Sequence, residues 1–330
     1  MEPILTVIGA TGTQGGSVVA AALRDRKFKV RGVTRNLDSE ASRDLISKGV
    51  EMIQADVNDK DSLVAAFRGS DAIFAMTNFW AELDAKGAKE ASNIEAEQGI
   101  NLARAATVTR SLKHYVWSTV PDYRGRIGAG HIMAHFDGKI ATDRFIKQHK
   151  DLLEKTTFLW VTYYATNILM DMIRPSYHEA AGKYLQLLPV FPSTEIVSIG
   201  DPSINIGIYT LAILNQPGLA SHGNIVRAEA ETLTIRQTLD LWSEVFEKPV
   251  WLLWTSPDSY TELWGNWGRE IGTMLQWWSL LGRSCWAADK PVLTGEDLKI
   301  TGLVGTKEVF CRIKESAPLR LPLRLISPMP

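Results

Sequence analysis

Residues Ile4-Leu5-Thr6-Val7-Ile8-Gly9-Ala10-Thr11-Gly12-Thr13-Gln14-Gly15-Gly16-Ser17-Val18-Val19-Ala20-Ala21-Ala22-Leu23 decide the fold. An apolar run of strand length meets a glycine turn, and a helix begins directly behind it. Gly9, Gly12 and Gly15 leave room for a pyrophosphate to touch the backbone. The helix start offers free N–H groups and a partial positive charge, and Thr11, Thr13 and Gln14 add polar side chains around them. The spacing is Gly-x-x-Gly-x-x-Gly, not the Gly-x-Gly-x-x-Gly of most dehydrogenases. A glycine run alone is a weak signal; its place between a strand and a helix makes this one point to a dinucleotide.

Working outward, strand-like and helix-like segments alternate. Residues 29–34 read as a second strand, followed by a helix from Ser39, a suitable N-cap, to Lys48, with Gly49 as its stop. Residues 50–55 read as a third strand and 60–68 as a short helix ended by Gly69. Ala72-Ile73-Phe74-Ala75-Met76, apolar throughout, reads as a strand buried on both faces. A helix over roughly 90–110 leads to a fifth strand opening at Tyr115, and a helix over 131–149 separates it from a sixth strand over 158–162. This pattern predicts an α/β fold with a doubly wound parallel sheet, whose ligands bind beyond the carboxyl ends of the strands where strand order reverses. From about residue 165 the pattern loosens into proline-marked turns at Pro175, Pro189, Pro192, Pro202 and Pro217. The expected division is a nucleotide-binding core over 1–165 and a smaller α+β substrate or partner region over 166–330, partly interleaved with it. Its stretch 251–286 is dense in tryptophan. Ser256-Pro257-Asp258 reads as a helix start. Beyond it Trp264, Trp267, Ile271, Met274, Leu275 and Trp278 recur at helical spacing, either as a core stripe or as an aromatic wall for an apolar ligand. The tail from Pro318 is proline-rich and reads as extended.

Composition narrows the partners. The 330 residues carry a formal net charge of −1 and no long like-charge run, which argues against nucleic acid and anionic membranes. No apolar run reaches the ~18 residues of a membrane span. The two cysteines, Cys285 and Cys311, form no metal or redox spacing and suit a reducing compartment. A soluble cytoplasmic protein is the expectation, with nuclear entry left open.

The second strand ends in Thr34-Arg35-Asn36. NAD-specific sites place an acid here to bind the 2′-hydroxyl, whereas an arginine pairs with a 2′-phosphate. Arg35 therefore selects NADP(H). Asp56, closing the third strand, either reaches the adenine amino group or caps a turn. Thr77-Asn78-Phe79 follow the fourth strand on the nicotinamide-ribose side, where Phe79 and Trp80 are placed to form an apolar wall.

Four segments together resemble the NmrA-like family of atypical short-chain dehydrogenases, and within it the branch containing the human NmrA-like redox sensor. They are Val7-Ile8-Gly9-Ala10-Thr11-Gly12-Thr13-Gln14-Gly15-Gly16-Ser17, Val33-Thr34-Arg35-Asn36, Thr77-Asn78-Phe79-Trp80 and Ala134-His135-Phe136-Asp137-Gly138-Lys139. The resemblance covers roughly residues 4–250 and is specific in the first 170. It implies a Rossmann core with a smaller C-terminal substrate region. It implies NADP(H) held by the glycine loop, Arg35 and Lys139, with Tyr163, Tyr164 and Asn167 near the nicotinamide. Some family members reduce ketones, imines or activated alkenes; others bind NADP(H) as regulators and catalyse little.

Short-chain dehydrogenases use a Tyr-x-x-x-Lys pair one helical turn apart, the tyrosine giving a proton to the substrate oxygen. Here the pair reads His135-Phe136-Asp137-Gly138-Lys139. Three readings follow: His135 is the acid, Lys139 donates with its pKa lowered by an apolar site, or the protein only senses NADPH. Tyr163 and Tyr164 are further donors, and Ser118 and Thr119 after the fifth strand are placed to orient a substrate. His131 and His135 stand four apart, but Ile132 replaces the glutamate of the zinc-protease motif, so no metal is expected. No Gly-x-Ser-x-Gly elbow suggests a hydrolase. The expected partner is a hydrophobic small-molecule substrate, with the C-terminal segment serving as a lid or as the surface of a homodimer. Arg35→Glu should weaken NADPH binding far more than NADH binding in a fluorescence titration; equal losses would refute the phosphate role.

Overall fold

The computed structural model describes residues 2–126 and 132–316. Its first half alternates β1 (Ile4–Ile8), α1 (Thr13–Asp25), β2 (Lys29–Thr34), α2 (Glu40–Ser47), β3 (Glu51–Gln54), α3 (Lys60–Phe67) and β4 (Ala72–Ala75). Then come α4 (Trp80–Thr107), β5 (His114–Thr119), α5 (Ala134–Gln148), α6 (Lys150–Leu153) and β6 (Thr156–Val161). The second half contains β7 (Tyr163–Tyr164), β8 (Ser176–His178), β9 (Lys183–Leu188), β10 (Glu195–Gly200), α7 (Pro202–Asn215), α8 (Pro217–Ala220) and β11 (Asn224–Ala228). It continues through β12 (Glu231–Thr234), α9 (Ile235–Phe246), β13 (Val250–Trp254), α10 (Pro257–Leu281), β14 (Val292–Leu293) and α11 (Thr306–Ser316).

Eight strands form one sheet in the order β14-β11-β6-β5-β4-β1-β2-β3, every pair parallel. The chain winds outward from β1 through β2 to β3, then crosses to β4 on the other side of β1. Strand order therefore reverses between β1 and β4, which opens a crevice at their carboxyl ends. Apolar clusters fill both faces. Leu63, Phe67, Leu102, Phe136 and Ile140 lie on the side of α3, α4 and α5, and Val18, Val19, Ile206 and Ile213 on the side of α1 and α7. β4 is buried at every position, as its uninterrupted apolar run requires. This is the Rossmann-type α/β architecture with a smaller C-terminal α+β region. The latter builds two mixed three-stranded sheets, β12-β10-β7 and β13-β9-β8.

Local signals set many boundaries. Ser39 Oγ accepts the Ser42 N–H at the start of α2, and Gly49 and Gly69 follow α2 and α3 at positive φ. Ser256 caps α10 with Pro257 in the first turn. Other boundaries differ from expectation. α4 begins at Trp80 rather than near residue 90, in two segments that meet at Gly87, where φ is +76°. Its early turn is anchored by Leu83, buried with Phe79, Ala91 and Ala134. Pro202 and Pro217 open helices instead of marking turns; Asp201 caps α7 by accepting the Ser203 N–H. α7 is apolar nearly all round because it lies in the core, so it shows little amphipathic period. β11 and β14 return from the second half to complete the large sheet. His131 and the tail from Pro318 lie outside the described residues. No described helix is long and apolar enough to cross a membrane.

Glycine permits the helix packing beneath the crevice. A Cβ on Gly207 of α7 would lie 2.2 Å from the Ser17 carbonyl oxygen of α1 and 2.8 Å from Ala21 Cβ. The Gly207 N–H also donates to Ser17 Oγ at 2.8 Å. Gly207→Ala is expected to cost about 1–3 kcal/mol by overpacking. Urea denaturation should show a lower midpoint at unchanged slope; an unchanged midpoint would contradict this contact.

Candidate functional site

The residues singled out in sequence gather along the carboxyl edge of the sheet, because each follows or closes a parallel strand. The glycine turn follows β1, Arg35 and Asn36 follow β2, Asp56 follows β3 and Thr77 to Phe79 follow β4. Ser118 and Thr119 close β5, and Tyr163 and Tyr164 follow β6.

At the turn, Gly9 takes φ +67° and its carbonyl accepts the Gly12 N–H at 2.8 Å. Gly12 is the N-cap of α1, so no side chain caps the helix, and its first turn holds no acid. Thr11, Gly12 and Thr13 are exposed. A Cβ on Gly15 would lie 2.2 Å from the Gly9 carbonyl oxygen, so the helix is seated directly on the turn. The free N–H groups and the helix dipole make this an anion-binding end.

Arg35 is exposed and makes no ion pair among the described residues; its carbonyl accepts from Gln54 Nε2 at 3.0 Å. Asn36 organises the turn behind it, its Oδ1 accepting the Asp38 N–H and its carbonyl accepting Ser39 and Ser42 Oγ. Asp56 Oδ1 accepts from the backbone and side-chain nitrogens of Asn58, both at 2.9 Å, which is the turn-capping arrangement. Asn78 is exposed and its Oδ1 accepts the Trp80 N–H. Phe79 is only 2% exposed, inside the cluster with Leu83 and Ala134. Trp80, not Phe79, faces the cleft.

Between β5, β6, α5 and α10 lies a cleft with about 720 Å³ of empty space. Gln14, Ser118, Thr119, His135, Lys139 and Tyr164 line one part of it. Tyr163, Asn167 and an apolar wall of Trp80, Ile271, Met274, Trp278 and Trp286 line the rest. The tryptophan-rich segment thus divides between the core and the cleft. Trp277 is fully buried, Trp278 reaches core and cleft, and Trp267 stacks on Trp80 with ring centres 4.6 Å apart. Across the cleft Ser118 Oγ donates to Gln14 Oε1, and Gln14 Nε2 donates to the Tyr164 hydroxyl, both at 2.7 Å. Burial pushes the Tyr164 hydroxyl up to about 12, against the Gln14 hydrogen bond that lowers it. Burial also raises Tyr163, against a smaller lowering by neighbouring Asn167. Both phenols hold their protons at neutral pH.

Two groups one turn apart on α5 are each tied to a buried carboxylate. Lys139 Nζ donates to Glu95 Oε1 at 2.8 Å and to Thr77 Oγ1 at 3.0 Å; Thr77 Oγ1 in turn donates to Glu95 Oε1 at 2.8 Å. The Glu95 side chain is 1% exposed. Lys139 is thus set among polar partners, one of them a buried carboxylate, rather than in a purely apolar pocket. Close packing of α4 on α5 makes the pair possible: a Cβ on Gly138 would meet the Ser92 carbonyl at 2.9 Å. His135 Nδ1 lies 2.5 Å from Glu270 Oε2 of α10, and its Nε2 is buried with no hydrogen-bond partner among the described residues. Glu95 and Glu270 were absent from the sequence reading. Each was visible as an acid on an apolar helical stripe: Glu95 between Ala91 and Leu102, Glu270 between Trp267 and Met274.

With this geometry in place, the comparisons assign the family. The NmrA-like family model matches residues 1–282. The chain belongs to the NmrA-like family. The match runs past residue 250, into the tryptophan-rich helix. An NmrA-like oxidoreductase of Aspergillus hancockii, hkm9, is 31% identical over 172 residues, covering 52% of this chain and 50% of that protein. The chain thus spans about half of that relative's length in the match. An NmrA-like domain protein of Dictyostelium discoideum is 26% identical over 285 residues, covering 86% and 89%. Among solved structures, the negative transcriptional regulator NmrA in complex with NADP superimposes with TM-score 0.70 at 19% identity, covering 95% of this chain and 96% of that one. Citrobacter triphenylmethane reductase with NADP(H) gives 0.66 at 21%, covering 93% and 99%. At these identities the superpositions establish the fold.

Beneath the site, Asp143 accepts from Trp117 Nε1 and Thr119 Oγ1, both at 2.8 Å. Burial raises its carboxyl from the ordinary 3.8 to about 6, against weaker lowering by Lys147 and these hydrogen bonds. The folded chain therefore binds this proton more tightly than the unfolded chain. The resulting stabilisation is complete below the ordinary value and is lost as pH rises through about 6. Asp143→Asn should remove that decline, seen as a denaturation midpoint that falls less with rising pH across this window than the wild-type midpoint does; identical pH profiles for both proteins would contradict it.

Proposed function

We propose that this protein is an NADP(H)-dependent oxidoreductase that reduces a carbonyl, imine or conjugated alkene of a hydrophobic small molecule. One observation carries the reading. The Lys139 amine tied to Glu95, a His135 ring nitrogen with no partner among the described residues and an aromatic wall meet in one cleft at the carboxyl edge of the sheet. The donor set suits the cofactor. The uncapped start of α1 would receive the pyrophosphate, and the exposed guanidinium of Arg35, without an ion pair among the described residues, would receive a 2′-phosphate. Lys139 would hold the nicotinamide ribose, and Thr77 and Asn78 lie beside its path. Tyr163, Tyr164 and Asn167 would flank the ring. In this reading residues 1–165 hold the nucleotide and 166–330 shape the substrate side. The description of hkm9 as an oxidoreductase, and the binding of NADP(H) by triphenylmethane reductase, support the same class.

A bound reduced nicotinamide supplies hydride. The chain's own residues do the rest. Lys139 would fix the ribose, its amine anchored by Thr77 and Glu95. His135 supplies a proton, while Ser118 and Tyr164 orient the polar end of the substrate once Gln14 releases them. Trp80, Ile271, Met274 and Trp278 exclude water around its apolar body. Free Cys285 and Cys311 suit work in a reducing compartment such as the cytoplasm.

A second reading, an NADP(H) sensor with little catalysis, is favoured by the histidine at the usual tyrosine position. Purified protein with NADPH, screened against aromatic ketones, imines and enones, separates the two. The reductase reading expects turnover that falls roughly hundredfold or more in Lys139→Ala, with the variant's folding checked by its melting temperature. Tight NADPH binding without turnover across the panel would refute it in favour of the sensor.

A further inference from the structure

Glu270 is a buried carboxylate, 2% exposed, with no part in the mechanism above. It reaches α5 from α10, and its Oε2 meets His135 twice. It accepts the His135 backbone N–H at 3.1 Å and lies 2.5 Å from His135 Nδ1. His135 is in the first turn of α5, where backbone N–H groups lack partners and the helix dipole favours a negative charge. The backbone N–H can only donate, so Oε2 is the acceptor at this contact and Nδ1 is the donor that completes it. Nδ1–H then donates to Glu270. Nε2, buried and without a partner among the described residues, is the ring nitrogen left to exchange a proton with a ligand. The ring itself lines the cleft, tilted against Trp80 with centres 5.1 Å apart and one turn from Lys139.

We propose that Glu270 is the positioning residue of this site: it locks His135 in the Nδ1–H form, holds the ring against Trp80, and stabilises the imidazolium whose Nε2 proton goes to the substrate. The proposal rests on the reductase reading. In the step, the substrate carbon takes the hydride that a reduced nicotinamide supplies, and the double-bond pair moves to the neighbouring oxygen, nitrogen or carbon. The Nε2–H bond breaks as that atom gains its proton. His135 is left neutral, with Nδ1–H still on Glu270, and Nε2 regains a proton from water. A carboxylate that orients an imidazole and offsets its charge has the same role in hydrolytic triads.

Two measurements test this. In the cofactor-free protein, nitrogen-15 NMR of the histidine rings should show His135 Nδ1 protonated, and Glu270→Gln should move the ring toward the Nε2–H tautomer. A wild-type Nδ1 without a proton overturns the proposal. In turnover, Glu270→Gln should lower kcat roughly tenfold or more while KM changes little, and it should add nothing to the loss, roughly hundredfold, in His135→Gln. Glu270→Asp, which keeps the charge, should recover part of kcat and serves if the glutamine variant does not fold. Turnover with unchanged kcat in Glu270→Gln overturns only the proposal. A wild-type protein that turns over nothing in the panel overturns the reductase reading and the proton transfer with it.

Discussion

The account depends on the uncapped start of α1. A helix end with free N–H groups needs an anion or water, and here it is pressed onto the strand that feeds it by the contact of Gly15 with the Gly9 carbonyl. Parallel winding then carries the end of every neighbouring strand to the same edge. The helices that follow β1 and β4 pack on opposite faces of the sheet at the reversal of strand order, so the space for a ligand is a consequence of topology.

The end of the cleft at His135 and Lys139 is organised differently, by charge. α5 presents His135 and Lys139 one turn apart, and two other helices each reach in with a single buried carboxylate. Buried carboxylates are costly unless paired, and each of these is paired with one cleft-lining group. Packing and chemistry are therefore coupled. Displacing α4 or α10 by an ångström would unpair a charge as well as open a void. The second half of the chain enters the site this way, through Glu270 and the wall of Ile271, Met274 and Trp278.

What was legible in the sequence was local. The glycine turn, the Ser39 and Ser256 caps, the stops at Gly49 and Gly69 and the doubly buried β4 all follow from short-range rules, and the parallel α/β architecture follows from their alternation. What was not legible was long-range or aperiodic. Glu270 meets His135 across 135 positions, and nothing in a local window ties the two together. β14 has two residues, too few to carry a pattern, and α7 is too apolar to show one. The start of α4 was hidden by the backbone break at Gly87. Asp56 and Phe79 illustrate a further limit. Both stand at the correct edge, yet one caps a turn and the other is packed inside, and only side-chain geometry distinguishes these uses.

The most direct test of the central claim is a crystal structure of the protein grown with saturating NADP+, paired with calorimetry on the same sample. The account predicts measurable heat, with density for the pyrophosphate on the backbone of Gly12 to Gly15 and the extra phosphate against Arg35. No heat, together with a crevice between β1 and β4 that contains only solvent, would contradict it.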